Sequence, residues 1–277
     1  MGLQALEDNR EIGQMLYQSI ADGHLHHVYL FESPKEKQGE ELAVAFAQAL
    51  LCQKAPAIGC GKCSVCRRIQ RGEHIGVTMV EPNLNESGTV KSIRTKDIEN
   101  LQERLRMTPY EGKRNIAIIK SMEVLGEKAA NKFLKTLEEP PLGTVIVMVA
   151  ENTDNMLPTI LSRTMHIRLG GEQATGSSED MERAKELITA LEEGEPYYRV
   201  RKLIEKYTKN AERRRLTGLL DSMEEIYIEH MVQRKDILSR QHIFVAIEAI
   251  EKARKDILMN SIIVNNALKD MVLTIGG

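Results

Sequence analysis

The sequence predicts two domains of different class: an α/β domain built on a mainly parallel sheet, with a small cysteine module inserted in it, and then an all-α helical domain. Three observations carry this. Helical and strand patterns alternate as far as Leu169. All four cysteines fall between Cys52 and Cys66. Beyond residues 170–178, a stretch rich in Gly, Ser and Thr without a large apolar residue, apolar positions recur near every 3.6 residues.

The elements follow in order. Leu3–Ile20 has a helical pattern stopped near Gly23, His27–Phe31 is a short strand, and Glu40–Leu51 is a helix with Leu42, Phe46, Ala49 and Leu50 on one side. After the cysteines, Lys96–Met107 is a helix through Ile98, Leu101 and Leu105, and Asn115–Ile119 is a strand. Glu127–Glu139 is a helix buried through Ala130, Phe133, Leu134 and Leu137, and Thr144–Ala150 and Met165–Leu169 are strands. Strands separated by helices make βαβ units, hence a sheet covered on both faces. The division is therefore residues 1–169, a linker at 170–178, and a helical domain at 179–277 with helices over Met181–Leu191, Tyr197–Tyr207, Ala211–Val232, Arg240–Met259 and Ile262–Thr274. Their outer apolar residues are expected to be buried only against other chains. No internal repeat or low-complexity segment is evident.

A chain of 277 residues exceeds one ordinary core, which fits about two domains. With 38 basic against 40 acidic residues and a net charge of -2, the composition argues against a protein that grips DNA alone through a broad basic face, and the run Arg213–Arg215 is too short for a basic recognition helix. No apolar run approaches a membrane span, and Met1–Arg10 carries no basic-then-apolar signal, so the expected location is the cytoplasm.

The cysteines are spaced C-x7-C-x2-C-x2-C, at Cys52, Cys60, Cys63 and Cys66, with Gly59 and Gly61 permitting tight turns between them. Thiols this close in a reducing compartment read as a metal site, and four thiolates suit a closed, structural tetrahedral Zn2+. An iron–sulfur cluster, another metal and free thiols stand as alternatives, though the C-x3-C-P continuation of ferredoxins is missing. His74 lies nearby and reads as an ordinary core or surface histidine.

Several motifs then occur in a fixed order: Leu25–Phe31, the helix end FAQALLC, the run GCGKCSVC, Pro109-Tyr110-Glu111-Gly112, AANKFLKTLEEPP from Ala129, and LPTILSRT from Leu157. Together they resemble the delta-prime subunits of the bacterial DNA polymerase III clamp loader, closely over Leu3–Arg168 and loosely beyond. The resemblance implies an AAA+-type first domain and a helical collar in a subunit of a hetero-oligomeric, pentameric ring. Its partners would be clamp-loader ATPase subunits and a clamp-opening delta subunit, and it would meet primed DNA only as part of that complex. The family's small helical lid between the two domains is missing here, unless Met181–Tyr207 is its remnant.

Against the related ATPases, the phosphate loop after Phe31 is degenerate. It begins at Ser33; the second glycine falls at Gln38, the phosphate-binding lysine at Gly39 and the magnesium-binding hydroxyl at Glu40. Glu36, Glu40 and Glu41 would repel a triphosphate. The second strand ends Lys120-Ser121 where an ATPase has its acidic pair, so no bound ATP and no intrinsic hydrolysis are expected. Lys35 and Lys37 read as solvated loop residues. Following the sensor-like Glu151-Asn152-Thr153, a helix begun by Pro158 ends at Ser162-Arg163-Thr164, where the family has Ser-Arg-Cys; the resemblance implies that Arg163 acts in trans as an arginine finger. Taken alone, Arg163 reads as a helix C-terminal cap or a surface ion pair. Glu138 and Glu139 would orient the core and a subunit face. An active AAA+ ATPase and a zinc-containing DNA-binding protein are the alternative functions.

Overall fold

Runs of Val, Ile and Met that are apolar at every position can only be buried on both faces, and they form the middle of a parallel sheet. A computed structural model describes residues 3, 10–84, 90–107, 114–153, 156–169, 178–208, 213–233, 237–259 and 264–276. These fall into two units, Met1–Gly171 and Glu172–Gly277.

The first unit contains α1 (Arg10–Ala21), β1 (Val28–Glu32), α2 (Glu36–Leu51), α3 (Ser64–Gln70), β2 (Val77–Val80), β3 (Asn83–Leu84), β4 (Val90–Ser92) and α4 (Thr95–Leu105). It continues with β5 (Asn115–Ile119), a 3-10 turn at Met122–Val124, α5 (Glu127–Glu138), β6 (Thr144–Ala150), α6 (Pro158–Leu161) and β7 (Met165–Arg168). The five long-paired strands lie in the order β2-β5-β6-β1-β7, all parallel, and β3 and β4 form a separate antiparallel hairpin. Alternation along β1 sorts the two layers. Val28 and Leu30 join the core made with α4 and α5 through Ile98, Leu101, Ala130 and Phe133. Tyr29 and Phe31 face the other way onto Phe46 of α2, with ring centroids 4.9 and 6.0 Å apart.

Several expected bounds move. Helix α2 begins at Glu36 rather than Glu40: its first turn is polar and faces solvent, so apolar spacing does not mark it, and Lys37 is helical rather than a loop residue. The described part of the first helix starts at Arg10, residues 4–9 lying outside the described set, and β1 runs one residue later than expected. Strand β2, the hairpin and α3 have no counterpart in the sequence reading. They span four residues, two short segments and seven residues, too little for a period to show. The motif Pro109–Gly112 and most of the expected linker fall outside the described residues.

The second unit contains α7 (Ser178–Glu192), α8 (Tyr197–Thr208), α9 (Arg213–Gln233), α10 (Ile237–Met259) and α11 (Val264–Gly276). The helix starting at Ser178 takes the last residue of the expected linker. The helices cover one another through Leu187, Ile204, Leu220, Met223, Ile247, Ile250, Leu268 and Met271. Tyr197, Tyr198, Val245 and Leu273 are the large apolar residues that this packing leaves exposed among those described in the unit. A charge cluster between α9 and α10 is also buried: Arg254 bonds Asp221 at 2.9 Å and Glu224 at 2.6 Å and contacts Glu251. No described helix is long and apolar enough to cross a membrane.

Candidate functional site

In open parallel sheets ligands bind beyond the carboxyl ends of the strands, where the strand order reverses. Here that place lies after β1 and β6, and the chain's own side chains meet there. Lys120, just past β5, bonds Glu40 of α2 at 3.0 Å and Glu81, just past β2, at 2.7 Å. Burial opposes the Lys120 charge, but these two carboxylates outweigh it and hold its pKa above the ordinary value. Ser121, in the left-handed region at φ 49°, donates its hydroxyl hydrogen to Glu36 Oε1 at 2.7 Å across 85 residues of sequence. Gly39 lies where a Cβ would come within 2.7 Å of Val149 Cγ1, so it serves close packing of α2 on β6. Ser33 is buried, and its hydroxyl donates to Lys35 O. Gln38 belongs to the same first turns, its backbone N–H donating to Lys35 O at 2.9 Å.

The same edge is acidic. Glu123 is pushed above the usual carboxylate range by burial and by the neighbouring charges of Glu151 and Glu36. It accepts from Glu151 N–H at 3.2 Å. Thr153 donates both its N–H and its hydroxyl to Glu32 Oε1, at 3.1 and 3.3 Å. Glu32 also meets His166 Nε2 at 2.8 Å and Arg168 Nε at 3.2 Å. Burial raises the Glu32 pKa, but the hydrogen bond and charge of His166, with Arg168, bring it down to about 2. The sequence reading did not find these partnerships; they come from the loop after β6 and from β7, and no local motif marks them.

Arg163 follows α6, whose start is fixed by Pro158 at its first turn. Its Nη1 donates to Thr159 O at 2.8 Å and Ser162 Oγ at 2.9 Å, and its Nη2 to Glu138 Oε1 at 2.5 Å. The pair is partly exposed, the side chains being 32% and 49% accessible. Arg163 thus caps α6 and makes a surface ion pair, as the reading without the resemblance has it, while its guanidinium still faces solvent. Thr164 is buried and donates to Leu161 O at 3.1 Å.

The four cysteine sulfurs lie within 4.8 Å of one another. Cys52 and Cys63 are 3.9 Å apart, as are Cys60 and Cys66. With metal–sulfur bonds of about 2.3 Å, the edge of a ZnS4 tetrahedron is about 3.8 Å. Backbone N–H groups of Ala55, Cys60, Cys63 and Cys66 point at the sulfurs over 3.3 to 3.5 Å. The N–H groups of Lys62 and Cys63 lower Cys60 to about 6, whereas burial and adjacent thiols push Cys66 up. Thiols so crowded ionise together only around a cation, and the residues fit one. Gly59 at φ +77° and Gly61 at φ +66° make the turns expected of them. Gln48 Nε2 ties the module to α2 by donating to Cys66 O at 2.9 Å. His74 stands apart: it is buried and its Nδ1 accepts from Gly76 N–H at 3.1 Å.

A family model described as DNA polymerase III, delta subunit matches residues 8–173. The chain is 34% identical over 150 residues to DNA polymerase III subunit delta' of Bacillus subtilis (strain 168), covering 54% of this chain and 44% of that protein. It is 34% identical over 170 residues to the subunit delta' of Pseudomonas aeruginosa, with 60% and 51% covered. To the subunit tau/gamma of Haemophilus influenzae it is 28% identical over 167 residues, with 60% and 23% covered. The chain thus spans about half the length of the delta' relatives it matches.

Proposed function

Since the chain belongs to the DNA polymerase III delta-prime family of clamp-loader subunits, we propose that it is a non-hydrolysing, stator-like member of such a loader. One observation carries this reading: the position where an AAA+ ATPase holds phosphate and magnesium is filled by the Glu40–Lys120 and Glu36–Ser121 bonds. A triphosphate there would have to displace them and then meet glutamates, with no carboxylate on β5 to hold magnesium. The first unit is then a degenerate AAA+ domain. The second is a helical collar that holds the chain in a cytoplasmic hetero-oligomer with ATPase subunits and a clamp-opening delta subunit. Its α7–α8 pair either belongs to that collar or is what is left of a lid. Primed DNA is met through the complex. Zn2+ is the ion that Cys52, Cys60, Cys63 and Cys66 hold; its role is to close the α2–α3 corner, since four thiolates leave no open position for chemistry.

Arg163 serves the neighbouring ATPase subunit. Phosphoryl transfer spreads negative charge over the transferring group, and a guanidinium presented across a subunit boundary stabilises it. In a reconstituted loader, Arg163→Ala keeps assembly and zinc content while lowering clamp-stimulated ATP turnover and clamp loading. Arg163→Lys rescues poorly, because an ammonium lacks the planar fork. Loading at the parent rate by an assembled Arg163→Ala complex would refute the trans role.

A further inference from the structure

We propose that Glu138 is the positioning residue for Arg163: it holds the guanidinium in the orientation in which it meets the neighbouring site, an inference that rests on the trans-acting reading of Arg163. The geometry carries it. Of the five N–H donors of a guanidinium, two are fixed by Thr159 O and Ser162 Oγ and a third by Glu138 Oε1 at 2.5 Å. The first two contacts belong to the residue's own turn and tether only Nη1. Glu138 is 25 residues away in sequence, bonds Nη2, and so sets the rotation of the plane.

Both partners stand on packed elements. Glu138 ends α5, which is anchored in the core by Phe133 and Leu137, and Pro140 and Pro141 stop the helix just beyond. Arg163 follows α6, anchored by the buried Ile160. A carboxylate at the last residue of a helix is locally unfavourable, because the free carbonyls there are negative. The guanidinium offsets that cost, which gives the acid at this position a reason beyond solubility. The remaining donors of Arg163 stay available to an anion, so the pair can persist while the finger works.

The test uses the reconstituted clamp-loader complex, with Arg163→Ala, Glu138→Ala, Glu138→Gln and the double alanine variant compared for assembly and for kcat and KM of clamp-stimulated ATP turnover. The turnover that Arg163→Ala removes defines the Arg163-dependent part. Glu138→Ala is expected to remove about half of that part or more through kcat, with KM for ATP unchanged. Glu138→Gln, which keeps the acceptor oxygen but not the charge, is expected to fall between Glu138→Ala and the parent. In the Arg163→Ala background, Glu138→Ala should cost nothing further, since residues acting as one unit are non-additive. Parent-like or faster turnover by Glu138→Ala beside an impaired Arg163→Ala overturns the positioning role, and so do additive losses in the double variant. If Arg163→Ala itself turns over like the parent, it is the trans-acting reading that fails.

Discussion

At the scale of single residues, the first unit is tied together at the ends of its strands by charge pairs, and Glu32 is the one whose energetics can be read most directly. Its carboxylate ties the end of β1 to β7 through His166 and Arg168 and to the loop after β6 through Thr153. Because its folded pKa, about 2, lies below the ordinary 4.5, the ionised form is favoured by the fold. The stabilisation is complete above about pH 5 and is lost as the pH falls through the window down to about 2. A shift of this size corresponds to roughly 3 kcal/mol. Glu32→Gln should therefore unfold earlier in denaturant than the parent at pH 7, and the gap should close as the pH is lowered toward 2. A gap independent of pH would show that the pairing does not set this pKa. None of these partners is legible in the sequence: Glu32 and His166 are 134 residues apart, and no spacing rule joins them.

At the scale of elements, the first turns of helix α2 bear on the proposal that this chain binds no nucleotide. Glu36 bonds Ser121, Glu40 bonds Lys120, and Gly39 lets the helix lie against Val149. Restoring the phosphate loop by Gln38→Gly, Gly39→Lys and Glu40→Ser should thus fail to restore nucleotide binding. The new Cβ at position 39 meets Val149, an overpacking that costs about 1 to 3 kcal/mol, and Lys120 keeps only Glu81. The expected result is a lower melting temperature and no heat on titration with millimolar Mg-ATP; measurable heat would contradict it. What the sequence showed here was the absence of the phosphate-binding residues. That Glu36 and Glu40 meet Ser121 and Lys120 there follows from the path of α2, which leaves β1 and packs across β6 toward β5, the strand beside β2. The early start of α2 escaped notice because its first turn has no apolar face.

At the scale of the whole molecule, the two units keep their cores separate in kind: one is a sheet between helices, the other a set of helices packed on each other. Residues 1–177 expressed alone should remain soluble with one tightly held zinc per chain, and should no longer enter a reconstituted loader. Iron or no metal in the freshly reduced fragment would remove zinc from the reading, and normal assembly would remove the oligomerising role from 178–277. The sequence by itself determined the class of each unit, the long strands, the cysteine set and the family, because periodicity, metal-ligand spacing and ordered motifs are local properties. The tertiary structure alone decided the edge strand β2, the hairpin, the pairing of Arg163 with Glu138, the bonds of Glu36 to Ser121 and Glu40 to Lys120, and the buried Arg254 cluster. The hairpin and β2 are too short for a sequence period to mark them, and the bonded pairs join residues 25 to 85 positions apart that only the path of the backbone brings together; where the place is buried, as at Arg254, the charges must be paired.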